Sequence, residues 1–480
     1  PVEIIPNRVR GYQMVDGKLA NSEFVDISSR FAAGGTRSTV PDLLKFAEGV
    51  MQGKLLSKSS SDLMFDSMQT REVRLTNYGA GWGTSSAGGR FTVTHSGGQN
   101  ETRTLLWVFP GKNFAVAGAV NFEGSSPYWY MRRLFQLLSD EPFEVSAYTG
   151  DRLKDALYAG LRDTFGEGLA HFARHRQPLA KTDAEAAEAF AYFNKHVSEE
   201  ALRAAQQETW RRIREGRHPA GGQSFVKVGS VMAAKLREKY GDARLDTYAA
   251  QGPFAFFADY VALYKSRPDF PAALRFAEPL EQTVARWRQS WDKANTAYVR
   301  GLSVTPDAGA DFEAGLRKAF AGAEIYPSFM EDFVNTTRQL VTRGERERAL
   351  KTARLALDLY PASDTAHVYL AVTQLVFGEG RDAAQLVTKA KELNPGGIAS
   401  AGGLNSLAYE LASINKLDAG LELLKIASAL HPQEANLYDS IGEFYVRKGE
   451  KQTGIGFYRK ALEVNPNLET AKKALEQLTK

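Results

Sequence analysis

The chain contains no cysteine, which excludes disulfide cross-links, thiolate-held zinc, iron–sulfur clusters and a cysteine nucleophile. It contains no run of 18 apolar residues, so no segment reads as a transmembrane helix. Charge of one sign is also scarce. With 60 Lys and Arg against 56 Asp and Glu, a net +4 over 480 residues gives no electrostatic case for nucleic acid or for a polybasic membrane anchor. What is present is 43% hydrophobic, 24% charged and 11% aromatic, a balance that supports sizeable cores and excludes a disordered or fibrous chain. At about 100–200 residues per domain, the length suggests roughly two to four domains.

Three textures follow one another. Residues 1–145 are glycine-rich and mix strand-like with helix-like runs. Residues 90–94 alternate as a strand should and end at His95-Ser96-Gly97-Gly98. Residues 103–109 and 114–121 are apolar runs separated by Pro110-Gly111-Lys112-Asn113, the pattern of two antiparallel strands and a short turn. Residues 40–51 have helical spacing, with Ser38-Thr39 as a cap and Gly53 beyond the end; residues 128–138 read as a second amphipathic helix. From 146 to 325 strand signals vanish. Residues 151–175, 183–215, 225–240 and 280–299 read as helices, the last starting behind Pro279. Breaks fall at Gln177-Pro178, around Gly221-Gly222 and at Arg267-Pro268. The expected fold is therefore α+β over 1–145, an antiparallel sheet with flanking helices, followed by all-α structure over 146–325 and 326–480.

The last region repeats. Pro361, Pro395, Pro432 and Pro466 each follow an alanine five residues earlier, at Ala356, Ala390, Ala427 and Ala461. Gly344, Gly378 and Gly449 precede three of these prolines by a constant interval, and Asn415 stands where the third unit should have its glycine. The third unit also has extra residues around Gly396-Gly397, and residues 468–478 read as a solvating end helix. This spacing resembles the tetratricopeptide repeat, a helix–turn–helix unit of about 34 residues whose small residues sit where paired helices touch. The resemblance implies an α-solenoid and a protein partner bound on it.

The run Phe91-Thr-Val-Thr-His95-Ser96-Gly97-Gly98 resembles the third motif of the serine β-lactamase-like family, which includes class C β-lactamases, D-alanyl-D-alanine carboxypeptidases and related esterases. Ile5-Pro6-Asn7-Arg8, Gly11-Tyr12, Ala32-Ala33-Gly34-Gly35, Ser38-Thr39, Asp42-Leu43, Phe46 and Tyr78-Gly79-Ala80-Gly81-Trp82 come in that family's order. The resemblance covers residues 1 to about 140 and implies a partial penicillin-recognising fold. It also implies that His95 steers a substrate carboxylate or assists proton transfer, that the Ser96 hydroxyl orients the substrate, that Gly97 admits substrate backbone, and that the Gly98 N–H is one oxyanion donor. His in place of Lys at the first position looks more like the esterase and peptidase members. The family's Ser-x-x-Lys and Tyr-x-Asn motifs belong upstream of this stretch. Ser413-Ile-Asn-Lys416 and Tyr192-Phe-Asn194 fit those spacings, but downstream and in reversed order, the first in the turn of a repeat unit and the second in the middle of a predicted helix. The nucleophile and base are therefore expected upstream of Pro1, and the chain by itself is expected to be inactive.

Glu167, His171 and His175 fall on one face of a predicted helix, and the stretch faintly resembles a glutamate-ligand helix of zinc metallopeptidases. Three ligands on successive turns span about 12 Å, too far for one tetrahedral ion, and Phe172 stands where a general-base glutamate should be. The face reads as solvated or as a decayed remnant, and no metal is expected. Arg211-Arg212-Ile-Arg214 and residues 343–348 read as solvated helix faces, and Gly221-Gly222 lacks the Lys-Ser/Thr of a phosphate loop. No cofactor is expected. The function expected is therefore amide or ester hydrolysis through an acyl-enzyme in the intact protein, fused to a protein-binding repeat array. The alternative is a non-catalytic scaffold that uses only the repeats. An extracytoplasmic location follows from the family resemblance alone. Residues 1–145 in isolation are expected to be marginal, with apolar surface exposed.

Overall fold

The fold is that of a computed structural model, which describes residues 9–15, 18–23, 34–71, 75–100, 102–122, 127–139, 146–205, 208–296, 299 and 309–479. Residues 5–8 and Ala32-Ala33, which contribute to the resemblance, lie outside the described residues. The chain divides into two compact units, one built mainly from residues 19–301 and the other mainly from 328–480. Among the described residues no helix is long and apolar enough to cross a membrane.

The first unit contains an antiparallel four-stranded sheet in simple meander order: β1 (Gly83–Ser85), β2 (Thr92–Gln99), β3 (Thr102–Phe109) and β4 (Phe114–Val120). The turn after β3 is a short 3-10 segment, Pro110–Lys112, closed by Asn113 in the left-handed region at φ 48°. Asparagine tolerates that region better than most residues. Alternation along β2 and β3 gives the sheet two apolar faces. Val93, Leu106 and Val108 pack with Ala47 and Val50 of α1 (Val40–Met51) and with Phe65 of α2 (Lys58–Phe65). Leu105, Trp107 and Phe109 pack with Met131 and Phe135 of α3 (Tyr128–Ser139). Thr39 caps α1 by accepting a hydrogen bond from the Asp42 N–H at 3.2 Å, as the Ser38-Thr39 signal predicts. Among the described residues, all but one of the exposed large hydrophobic residues lie before residue 140, among them Leu44, Phe46, Leu63 and Leu137; the exception is Tyr240.

Three expected boundaries move. β2 does not stop at His95; pairing with β3 carries it through Gly97 and Gly98 to Gln99. The single helix expected over 183–215 breaks into α5 (Asp183–His196), Glu199–Ala205 and Thr209–Arg217, because Ser198 restarts the chain as a cap, its hydroxyl accepting from the Ala201 N–H at 3.1 Å. The helix expected over 280–299 runs Glu278–Ala294, with proline in its first turn.

The helices of this unit share one aromatic core that includes Phe190, Phe193, Phe225, Phe256, Tyr260 and Trp287. Its axis is α4 (Arg152–His175) crossing α6 (Ser224–Tyr240). The crossing is set by glycine: a Cβ on Gly229 would lie 1.9 Å from the Thr164 carbonyl oxygen, and one on Gly168 would lie 2.4 Å from the Gly229 Cα. Arg174 ties α4 to α2 through an ion pair to Asp66 at 2.8 Å and a hydrogen bond to the Asp62 carbonyl at 2.6 Å.

The second unit is an α-solenoid of helix pairs: α7 (Met330–Arg343) with α8 (Arg346–Leu359), α9 (Asp364–Val376) with α10 (Ala383–Leu393), α11 (Ala401–Ser413) with α12 (Leu417–Leu430), and α13 (Ala435–Arg447) with α14 (Lys451–Val464); α15 (Glu469–Thr479) ends it. The periodic alanines Ala356, Ala390, Ala427 and Ala461 are all buried. The turn within each pair needs a left-handed residue: Gly344 at φ 74°, Gly378 at 75° and Gly449 at 84°, with Asn415 at 64° in the third. The extra residues of the third unit fold under Asp364, whose carboxylate accepts from Asn394 Nδ2 at 3.0 Å and from the Ile398 N–H at 3.3 Å.

Candidate functional site

β1 pairs with β2 only at Thr92, Val93 and Thr94. From His95 to Gln99, β2 has β3 on one side and, among the described residues, no strand on the other. Gln99 pairs with Thr102 across a two-residue turn, so this pair must exchange the ladder bonds. Alternation then leaves the N–H groups of Ser96 and Gly98 facing away from β3, toward the open edge. His95, Ser96, Gly97 and Gly98 are all exposed.

Local sequence explains how each is held. Val93 is fully buried against α1, and His95, two residues on, continues that face out into solvent. The ring of Tyr78 lies 6.3 Å from that of His95. Tyr78 opens the 78–82 motif, which is pinned by Trp82 packing on Phe46 and Phe65 and by the Ala80 N–H donating to the Met64 carbonyl at 2.8 Å. Gly97 faces Thr104 across the ladder, and a Cβ there would lie 2.5 Å from the Thr104 hydroxyl. Gln99 Nε2 donates to the Gly34 carbonyl at 3.2 Å, holding the far end of the edge. An open strand edge with outward N–H groups and no side chains at two successive positions can pair with an extended substrate and place a carbonyl oxygen on the Gly98 N–H.

The sequences that mimic the missing motifs serve structure. Ser413 ends α11 and donates to the Glu410 carbonyl at 2.7 Å, and Lys416 starts the next helix. Tyr192 donates to the Arg212 carbonyl at 3.2 Å, and burial pushes its phenol further above the ordinary range, so it is no base at neutral pH. Asn194 is satisfied on both sides, donating to the Arg275 carbonyl at 2.9 Å and accepting from the Ala277 N–H at 3.0 Å. Two further Ser-x-x-Lys spacings escape the sequence reading. Ser290 accepts from the Glu324 and Ile325 N–H groups and donates to the Ile325 carbonyl, a full structural role. Ser224 and Lys227 open α6 and share a cleft with Tyr192, but Lys227 leans on Glu185 at 3.9 Å and the phenol is already given to Arg212.

Glu167, His171 and His175 do share one face of α4, and that face lines a cavity. The ring centres of His171 and His175 lie 4.5 Å apart, with the planes tilted by 39°. Burial, with His175, Lys181 and Arg174 nearby, pulls His171 down to about 4, and burial pushes Glu167 up against the pull of Arg217. Among the described residues no three His, Asp or Glu side chains are placed to hold a metal ion.

Residues 2–140 match the family model for beta-lactamases. No curated protein matches the chain. Among solved structures, MamA is similar at 21% identity over 34% of this chain and 86% of its own, with a TM-score of 0.20. PilF of Pseudomonas aeruginosa is similar at 22% identity over 31% of this chain and 67% of its own, also at 0.20. YrrB, a tetratricopeptide-repeat protein, is similar at 18% identity over 30% and 91%, at 0.14. The solenoid rests on the helix pairs themselves, since similarities at this level say nothing of function. The beta-lactamase-like segment and the repeat array are thus joined in one chain.

Proposed function

We propose that residues 1–145 supply the substrate edge of a β-lactamase-like serine hydrolase, that 146–325 form a helical support, and that 326–480 bind a protein partner. The observation that supports the hydrolase reading is the open edge of β2, with His95, Ser96, Gly97 and Gly98 exposed in a segment that matches the beta-lactamase family. In the reaction so read, a serine Oγ attacks the carbonyl carbon of an amide or ester and its proton passes to a base. The oxygen gathers negative charge and accepts hydrogen bonds donated by the Gly98 N–H and by the nucleophile's own N–H. Collapse expels the amine or alcohol, and water then cleaves the acyl ester. His95 steers a substrate carboxylate and Ser96 orients the acyl group. The nucleophile and its base are assigned to no residue of these 480.

The test compares two proteins. The 480-residue chain should give no burst with nitrocefin or a p-nitrophenyl ester. A longer protein that adds upstream coding sequence with Ser-x-x-Lys and Tyr-x-Asn should give one, and His95→Ala should slow its acylation by about 10²–10⁴-fold. A burst from the 480 residues alone would sink the assignment.

The scaffold reading draws on a different observation. Side chains on the first helices of the array link to one another: Arg338 lies 5.6 Å from the Tyr369 ring centre on α9 and reaches past it to pair with Glu410 on α11, and Tyr409 donates to Glu443 at 2.6 Å, which Arg447 also pairs. A continuous polar surface over several repeats suits an extended protein segment. A start codon immediately before Pro1 would favour this reading over the hydrolase.

A further inference from the structure

The Glu167–His171–His175 face of α4 has no part in the hydrolase reading, yet it lines a cavity of 560 Å³ inside the first unit. The other walls come from distant sequence: Ser67, Gln69 and Asn77 after α2, residues 84–86 along β1, and Arg217. A volume of this size falls in the range of small-molecule sites, about 300–1,000 Å³.

The charges in this cavity cancel. Three guanidiniums line it and each is paired with a carboxylate that also lines it: Arg162 with Asp163 at 2.9 Å, Arg174 with Asp66 at 2.8 Å, and Arg217 with Glu167 at 3.5 Å. A charged ligand would therefore gain no net attraction and would have to compete with an existing pair. Pairing does not exhaust these groups, since a guanidinium has five N–H donors and a carboxylate about four lone-pair sites. They stay in place as fixed, oriented donors and acceptors. Ser67, Thr84, Ser85, Ser86, Gln69 and Asn77 add neutral hydroxyl and amide groups. Phe65 and Phe91 also line the cavity, and Arg174 sits 4.7 Å above the Phe91 ring, fixing its position. His171 stays neutral through ordinary pH, and its Nε2 is buried without a hydrogen-bond partner.

We propose that this cavity binds a neutral polyhydroxylated ligand, a sugar of one or two rings. Sugar hydroxyls both donate and accept, which matches a wall of oriented pairs, amides and hydroxyls with no net charge. Sugar C–H faces pack on aromatic rings, which matches Phe65 and Phe91. A cavity built for an anion would show guanidiniums in excess, and one built for a zwitterion would hold its positive and negative groups apart rather than in contact pairs.

The experiment is titration calorimetry, with saturation-transfer NMR, on the full 480-residue chain. The probes are cellobiose and N,N′-diacetylchitobiose as neutral disaccharides, glucuronate and glucosamine as charged sugars, and glycylglycine as a zwitterion. At least one neutral disaccharide should bind about tenfold or more tighter than every charged or zwitterionic probe. Gln69 is exposed and lines the cavity, so Gln69→Trp should abolish binding by filling the space, with the thermal midpoint unchanged, and Gln69→Ala should weaken it severalfold. Tighter binding of glucuronate or glycylglycine overturns the proposal, as does sugar binding that survives Gln69→Trp, or no neutral disaccharide binding at millimolar concentration.

Discussion

The two compact units use small residues for opposite purposes. In the first, Gly168 and Gly229 let two helix backbones touch, and Arg174 joins elements separated by 108 residues of sequence. In the second, alanines at regular spacing let each helix settle on its neighbour, and most packing runs between neighbouring helices. A fold of the first kind depends on a few long-range fits, so a single misfit is felt throughout. A fold of the second kind is close to a sum of neighbouring terms, so a misfit stays near where it is made. The chain supplies its own reporter for this difference. All six tryptophans, Trp82, Trp107, Trp129, Trp210, Trp287 and Trp291, precede residue 302, so tryptophan fluorescence follows the first unit while far-ultraviolet circular dichroism follows both.

The largest effect should come from Gly229→Ala. The added methyl would meet the Thr164 carbonyl at 1.9 Å, and backbone against backbone cannot yield without moving α4 from α6. A cost of about 3 kcal/mol or more is expected, at the upper end for overpacking, seen as an earlier fluorescence transition in urea. The matched change in the array is Ala427→Leu, at a fully buried position. It should cost about 1–3 kcal/mol, lower the circular dichroism transition and leave the fluorescence transition where it was. If Ala427→Leu shifts both equally, the units do not unfold separately and the contrast fails.

Next comes Arg174→Ala. The side chain is mostly buried, bonds Asp66 and the Asp62 carbonyl, and covers the Phe91 ring. Its loss leaves the part-buried Asp62 carbonyl without this donor, breaks the Asp66 pair and removes packing, for about 1–3 kcal/mol, again in fluorescence alone.

These positions also show what a sequence reveals and what it withholds. The helix at Val40–Met51, its Thr39 cap and the repeat alanines were legible because each rests on neighbours within a turn or two. The strand through Gly97 and Gly98 was not, because glycine gives no alternation and only the partner strand β3 keeps it extended. The break after His196 was hidden by an unbroken helical composition. The face of Glu167, His171 and His175 was visible as a face, yet its meaning depends on Asp66, Arg217 and residues 84–86, which no local pattern brings near. Ser224 and Lys227 went unnoticed because a two-residue motif recurs by chance. His95 and its neighbours stood out because family order, not periodicity, marks them.

Acid should act on the first unit more than on the second. His171 is held near 4 in the folded state against about 6.5 when unfolded, and His175 is lowered as well, by burial and by Arg174. Between those values the unfolded chain binds more protons, so folding stability is complete above about pH 6.5 and declines as pH falls toward 4. His171 keeps some solvent contact, so after screening the loss is of order 1–2 kcal/mol. Glu167, raised by burial, works in the opposite sense: it costs stability above its folded pKa and regains it in acid. His171→Gln separates the two. It should flatten the decline of the fluorescence midpoint between pH 6.5 and 4.5 and leave the array's response unchanged. An unaltered slope would mean that the imidazole is not held neutral by its surroundings.

The smallest effect tests the array's regularity. Three of its turns use glycine at φ 74–84°, and the third turn uses Asn415 at 64°. A side chain in the left-handed region costs more than glycine does, though asparagine less than most. Asn415→Gly relieves that strain and at the same time loosens the unfolded chain, and the two effects nearly offset. A gain of no more than about 0.5 kcal/mol is expected, in circular dichroism only. Asn415→Ala, which keeps the strain and removes the polar group, should instead lose about 1 kcal/mol. If alanine proves as good as glycine, the turn does not select for conformation, and the match between Asn415 and the three glycines is one of position alone.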